Sequence, residues 1–185
     1  MRIIGGTLRG TALASVGKGD TAAHLRPTTD RVRESLFNLL AHGDYPPIEG
    51  ARVLDLFAGT GALGFEALSR GASRALFVDD GAKSRALLRE NTDKLRMIGQ
   101  SKIYRRDATR MGENRGAPYD LVFLDPPYGK ALGEKALESC EKGGWLAEGA
   151  LVIWEESAPV ALPQGYALKD QRKYGDTTIT ILQRI

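Results

Sequence analysis

Apolar residues follow two different rhythms along the chain. Before residue 50 they are sparse and helically spaced. Val32, Leu36, Phe37, Leu39 and Leu40 recur at the interval of one helix face. Thr28, Thr29 and Asp30 stand just ahead as candidate N-caps, so a helix is expected from there to about Leu40. Arg2-Ile3-Ile4 and Thr11-Ala12-Leu13 flank a glycine-bearing turn region, which predicts a short hairpin over residues 2–14. The Gly-rich, polar stretch 15–27 predicts a mobile loop. After Pro46-Pro47 and Gly50 the rhythm changes to short apolar runs alternating with amphipathic stretches. The runs predict strands at Arg52–Phe57, Ala75–Val78, Lys102–Arg105, Tyr119–Leu124 and Ala150–Trp154. The amphipathic stretches predict helices at Ala62–Ser69, Ala82–Ile98 and Leu132–Lys142. Tyr166–Arg172 and Thr177–Gln183 predict a terminal antiparallel pair turning near Gly175-Asp176. Alternating strands and helices imply an α/β fold: a mostly parallel sheet, helices on both faces, and ligands beyond the carboxyl ends of the strands. One domain is expected over 1–185, with an N-terminal extension at 1–45 and a catalytic core at 51–185.

Composition narrows the partners. The chain has 185 residues, 42% hydrophobic and 26% charged, near the average for a globular domain. No apolar run approaches the ~20 residues a membrane helix needs, and the N-terminus lacks a secretory h-region. The sole cysteine, Cys140, excludes an intrachain disulfide and a cysteine-held zinc; it reads as a small buried apolar residue. A cytoplasmic monomer without a metal is expected. The net charge of +3 conceals a segregation. Residues 83–115 carry ten Lys/Arg against four Asp/Glu, and residues 134–156 carry two against six. Residues 1–40 carry six against three. A basic face attracts phosphate, and the aligned arginines of the N-terminal segment favour a nucleic-acid partner over mere solvation of a helix. His24 and His42 stand in loop-like contexts and read as surface residues.

The first strand runs into Asp55-Leu56-Phe57-Ala58-Gly59-Thr60-Gly61-Ala62-Leu63-Gly64. Gly59 and Gly61 allow a tight turn and close approach of a ligand to the backbone. The spacing also satisfies the dinucleotide pattern G-x-G-x-x-G, with Asp79 twenty residues after Gly59. Asp55 discriminates between the two cofactor classes. A pyrophosphate at this helix start would be repelled by a carboxylate, whereas the ammonium and sulfonium of S-adenosylmethionine would be attracted. Asp79, preferred to the adjacent Asp80, can accept from ribose hydroxyls. Asp107, followed by Ala108, either accepts from an adenine amino group or caps a turn.

The fourth strand ends in Asp125-Pro126-Pro127-Tyr128. Two prolines set two φ angles, remove two N–H donors and hold Asp125 extended. The loop therefore presents a carboxylate, a free carbonyl and an aromatic ring from a stiff frame. That set suits attack of an exocyclic base amine on a methyl sulfonium. The acceptors hold the amine hydrogens and stabilise the charge that develops on nitrogen. Tyr128 stacks on the base, a contact worth ~1–3 kcal/mol. Glu155 and Glu156 end the fifth strand; they could line the rim, but read as solvated.

These segments together resemble the RsmD family of bacterial methyltransferases, which act on a guanine 2-amino group of small-subunit (16S) ribosomal RNA. The resemblance runs through Arg2-Ile3-Ile4-Gly5-Gly6, Arg9-Gly10, Arg26-Pro27-Thr28 and Asp30-Arg31-Val32-Arg33-Glu34. It continues through Leu54–Gly64, Glu66–Ala72, Asn91, Phe123–Tyr128 and Lys173-Tyr174-Gly175. The Asp-Pro-Pro-Tyr loop is shared with other amino-methyltransferases; the Arg-Pro-Thr and Asp-Arg-Val-Arg-Glu segments are more specific. The resemblance implies a Rossmann-like fold and S-adenosylmethionine held near Asp55, Phe57, Ala58, Gly59, Thr60, Gly61, Asp79, Asp107 and Ala108. It implies catalysis at Asp125, Pro126, Pro127 and Tyr128, and RNA contacts from Arg9, Arg26, Thr28, Arg31 and Arg33. The family usually has Glu where Asp79 stands and often Ser where Thr60 stands, so Asp79 must reach further to a ribose. The competing readings are methylation of adenine in DNA, nicotinamide-dependent oxidation and RNA binding without catalysis.

Overall fold

The computed structural model describes residues 1–16 and 28–185. The expected loop over 15–27 falls almost wholly outside the described residues, as do Arg26 and His24.

Helix α1, Asp30–His42, begins where the capping residues stand. Thr29 is the N-cap, and its hydroxyl oxygen accepts from the Val32 N–H at 3.2 Å. Its buried stripe of Leu36, Phe37 and Leu40 faces the sheet, and Phe37 meets Phe123 with ring centroids 5.8 Å apart. Strand β1, Arg52–Leu56, leads into α2, Ala62–Ser69, then β2, Arg74–Val78, and α3, Ala82–Lys94. The third strand is β3, Ser101–Tyr104, followed by a single 3-10 turn at Ala108–Arg110. Strand β4, Tyr119–Leu124, α4, Leu132–Gly143, and β5, Leu146–Glu156, complete the alternation. Strands β6, Tyr166–Tyr174, and β7, Thr177–Arg184, form the terminal pair.

One seven-stranded sheet has the order β3-β2-β1-β4-β5-β7-β6. The first five strands are parallel, and β7 runs antiparallel to both β5 and β6. Helices α1, α2 and α3 cover one face, where Leu36, Phe37, Phe65 and Leu88 pack with Val53, Phe77, Phe123 and Ile153. Helix α4 covers the other, where Ala136, Leu137 and Cys140 pack with Leu54, Val122, Val152 and Trp154. Cover on both faces explains why the central strands read as unbroken apolar runs. None of the described helices is long and apolar enough to cross a membrane.

The structure departs from the sequence expectation in three places. Helix α3 stops at Lys94 rather than near Ile98. Arg96 adopts a left-handed φ of 55°, the Met97 N–H returns to the Thr92 carbonyl, and Ile98 is left 69% exposed. Strand β5 begins at Leu146, four residues before the expected start, because it carries a register shift against β4 between Tyr119 and Leu121 and passes through Gly149 at φ 77°. The N-terminal hairpin reduces to one antiparallel bridge, Arg2 to Ala12. Its turn is held by α2 instead: buried Glu66 accepts from the Ile4 and Gly5 N–H groups, and the Ser69 hydroxyl accepts from the Leu8 N–H.

Candidate active site

Strand β1 sits between β2 and β4 and is parallel to both, with Leu56 opposite Val78 on one side and Leu124 on the other. The chain leaves β1 towards one edge of the sheet and later returns on the opposite side of β1. Two loops therefore emerge side by side at the carboxyl end of the sheet: Phe57–Gly61 from β1 and Asp125–Tyr128 from β4. The gap in strand order between them is the switch point at which such sheets bind ligands.

The β1 turn is strained and braced. Phe57, Gly59 and Gly61 all have positive φ, at 57°, 58° and 81°. For Phe57 that is an uncommon conformation, of the kind that persists when its surroundings enforce it. The Ala58 N–H donates to the Val78 carbonyl at 3.1 Å, and the Gly61 N–H donates to the Ala58 carbonyl at 2.8 Å. Thr60 is buried; its hydroxyl lies 3.6 Å from the Met1 sulfur, and its carbonyl accepts from the Asn91 amide at 2.9 Å. Fully buried Asn91 also exchanges two hydrogen bonds with the Ala14 backbone, so the N-terminal segment and the turn share one side chain.

Two carboxylates underlie this turn. Asp55 is 2% exposed, and its Oδ2 accepts from the Gly64 N–H at 3.0 Å. Burial pushes its carboxyl well above the ordinary range; the Gly64 hydrogen bond opposes that shift, and the charge of Asp79 adds to it. Asp79 accepts from the Gly59 N–H at 3.0 Å and from the Gly81 N–H at 2.9 Å. Burial raises its carboxyl too, against the pull of those two N–H groups. The Ser84 side chain adds a further hydrogen bond, and with about four lone-pair sites the carboxylate keeps acceptor capacity beyond these three donors. Asp80 is exposed, and its carbonyl accepts from Arg85 at 2.6 Å, so Asp79 is the residue turned toward the turn. Asp107 is exposed and caps the 3-10 turn, accepting from the Thr109 N–H and hydroxyl at 2.8 and 2.7 Å, while Ala108 behind it is buried. Those bonds hold the Asp107 carboxyl below its usual range.

A ligand with cationic groups and a ribose fits this arrangement. An anionic pyrophosphate would face two carboxyl groups whose ionisation burial already opposes, whereas a cation draws both towards ionisation.

In the β4 loop, Asp125 and Tyr128 are half-buried, Pro126 is buried and Pro127 is exposed. The Tyr128 hydroxyl donates to Glu155 Oε1 at 3.0 Å and lies 2.8 Å from the Thr177 hydroxyl. Glu155, expected to be solvated, is in fact 5% exposed, and its other oxygen accepts from the Thr28 hydroxyl at 2.8 Å. The next residue, Glu156, accepts from the Gly129 N–H at 3.2 Å. Strand β5 runs two residues past the last β4 pairing, Leu124 with Trp154, and both of those residues are glutamates that hold the loop. The available signal was a carboxylate directly following five apolar strand residues, beside a strand that ends in Asp-Pro-Pro.

The residues expected to meet RNA separate. Arg31 is exposed on the first turn of α1. Arg9 is exposed, but its turn docks at the Ser69 end of α2, remote from the glycine turn. Arg33 cannot reach RNA. Its side chain is wholly buried, donates to the Arg2 carbonyl at 2.9 Å and pairs with Asp30; burial lowers its pKa against the opposing pull of Asp30 and Glu66. Thr28 is likewise buried, its hydroxyl committed to Glu155. An open groove of about 1010 Å³ lies between the 3-10 turn and α4, lined by Thr109, Arg110, Lys135 and Ser139 among others. It contains no residue of either loop, so the strand-end crevice, with its converging loops and shifted carboxylates, is the better candidate for chemistry. His42 is exposed, and burial pushes the Cys140 thiol up to about 12, where it is unreactive.

Known proteins share this arrangement from end to end. Residues 1–183 match the family described as conserved hypothetical protein 95. The chain is 39% identical to ribosomal RNA small subunit methyltransferase D of Escherichia coli, covering all of this chain and 90% of the relative. It is 34% identical to the Haemophilus influenzae protein of that name, over 99% of this chain and 93% of the relative. The solved Escherichia coli structure of yhhF superposes with a TM-score of 0.84 at 38% identity, covering 100% of this chain and 97% of that one. The chain therefore belongs to the conserved hypothetical protein 95 family, the RsmD family of bacterial ribosomal RNA methyltransferases with a Rossmann-like fold.

Proposed function

We propose that the protein transfers a methyl group from S-adenosylmethionine to the exocyclic 2-amino group of a guanine in small-subunit (16S) ribosomal RNA. The observation that carries this reading is the adjacency of the two loops, with Leu56 at the end of β1 paired with Leu124 at the end of β4. A donor seated at Phe57–Gly61 and an amine seated at Asp125–Tyr128 would be neighbours, and positioning supplies much of the acceleration in such a transfer.

The bound cofactor supplies an electrophilic methyl on a sulfonium. The chain's residues supply the remainder. Asp79 receives the ribose hydroxyls, and because it also holds the Gly59 N–H, sugar recognition and turn geometry are coupled. Asp55 acts from beneath the turn, holding the start of α2 through Gly64 and biasing the site towards a cation. Asp107 and Ala108 form the wall for the adenine end. Asp125 and the Pro126 carbonyl accept the hydrogens of the target amine and stabilise the charge that grows on its nitrogen. Tyr128, tethered by its hydroxyl to Glu155 and Thr177, offers its ring to the extruded base. Arg31, exposed on the first turn of α1, offers its guanidinium to a phosphate.

The test is methyl transfer from tritiated S-adenosylmethionine to small-subunit RNA lacking the modification, followed by digestion to nucleosides. Label in N2-methylguanosine is expected. Label in an adenine nucleoside would replace the substrate assignment. No label in either naked RNA or assembling subunits would reject the activity.

A further inference from the structure

We infer that the outer side of β3 is a docking track for the phosphate backbone of RNA flanking the target nucleotide. This rests on the ribosomal RNA methylation proposed above, and adds a surface distant from the two loops. Strand β3 is the last strand on its side of the sheet. Lys102 on it, and Arg105 and Arg110 just beyond its end, are exposed; among the described residues, Lys102 and Arg105 form no ion pair. Half-buried Tyr104, on the same face of the strand as Lys102, has the Lys102 ammonium 5.4 Å and the Arg106 guanidinium 4.8 Å from its ring centroid. Arg106 is held there by donating to the Met111 carbonyl. Asp107, the acid within this stretch, is committed to Thr109.

Charge and position agree on the occupant. Exposed Glu148 and half-buried Glu156 lie on β5, four places from β3 in the strand order, so a polyanion is drawn to the β3 side of the sheet and repelled from the β5 side. The track also joins the site, because the Tyr104 carbonyl accepts from the Asp79 N–H. Three strand spacings separate β3 from β4, about 14 Å at ~4.8 Å each. That is the reach of a few nucleotides of RNA backbone. A nucleotide held at Asp125 thus leaves its neighbours over β3. A lone edge lysine is also a common guard against edge-to-edge aggregation, but that role predicts no effect on RNA binding.

The test compares two full-length variants with the same change in net charge: Lys102→Gln/Arg105→Gln, and, as control at the opposite edge of the sheet, Lys169→Gln/Lys173→Gln. Affinity for small-subunit ribosomal RNA is measured against salt, alongside kcat at saturating RNA and affinity for S-adenosylmethionine. If both cations contact phosphate, the β3 variant lowers the log–log salt slope by roughly 0.7–0.9 per contact. With two contacts that contribute nothing at 1 M salt, this is about a 30-fold loss of affinity at ~0.1 M. Saturated kcat and cofactor affinity stay at the wild-type level. An unchanged slope, or an equal loss in the control, overturns the track while leaving the methylation reading intact. Failure of the wild-type protein to bind RNA overturns both.

Discussion

Removing the Glu155 carboxylate tests whether the Asp125–Tyr128 loop is held from β5. Its side chain is 5% exposed and accepts two hydrogen bonds, from Tyr128 at 3.0 Å and Thr28 at 2.8 Å. A hydrogen bond to a charged group contributes about 1.5–3 kcal/mol. In Glu155→Ala the buried Thr28 hydroxyl loses this acceptor, while Tyr128 retains Thr177 at 2.8 Å. The net loss should be about 3 kcal/mol, and for a chain of this size each kcal/mol shifts Tm by roughly 2–4 °C. A drop of about 6–12 °C is expected in a thermal melt. The loop also loses one of its tethers to β5, and a misplacement of ~1 Å at a reacting centre can lower the rate about 10²-fold. So kcat for methyl transfer should fall by about that factor, with the dissociation constant for S-adenosylmethionine within about twofold of wild type. Glu155→Gln should recover most of both losses, because an amide can accept from one hydroxyl and donate to the other. If the alanine variant melts early yet keeps a wild-type kcat at saturating substrate below its Tm, Glu155 stabilises the fold without positioning Tyr128, and the reasoning fails.

Asp125→Ala should lower kcat about 10²–10³-fold, the typical effect of removing one preorganised polar group from developing charge; isothermal calorimetry should show cofactor affinity nearly intact, and a large loss there would relocate Asp125 to the cofactor site. Gly64→Ala would ordinarily stabilise a helix by about 1 kcal/mol, but its Cβ would overlap the Phe77 ring and sit 3.0 Å from Asp55 Oδ2. With overpacking at about 1–3 kcal/mol, Tm should fall by a few degrees, and a rise would contradict the packing. Asp55 is raised in the folded state, so its contribution to stability is complete below the ordinary carboxylate range near pH ~4 and is lost as pH rises above it. Melting curves of wild type and Asp55→Asn should therefore diverge in favour of the variant from pH 4 towards 8, and parallel curves would refute the shift. By the same linkage, uptake of a cationic cofactor should release protons, visible as buffer-dependent binding heats in calorimetry, and heats identical in all buffers would argue against it.

Much of the architecture was determined by local chemistry. Thr29 capping α1, the limits of α2 and the glycine turn between β1 and α2 follow from capping preference, apolar spacing and backbone freedom, all properties of neighbouring residues. That Asp79, Asp125 and Tyr128 stand at the carboxyl ends of strands was legible, and in a parallel sheet strand ends converge. What remained hidden depends on partners distant in sequence. Glu155 reads as a solvated strand end until β4 and Thr28, 127 residues away, close over it. Arg33 reads as a basic surface residue until the Arg2 carbonyl and Asp30 enclose its guanidinium. Asn91 carries no sign that it joins Ala14 to Thr60. A polar side chain advertises the bonds it can make, but burial decides which it must make, and burial belongs to the packed chain as a whole.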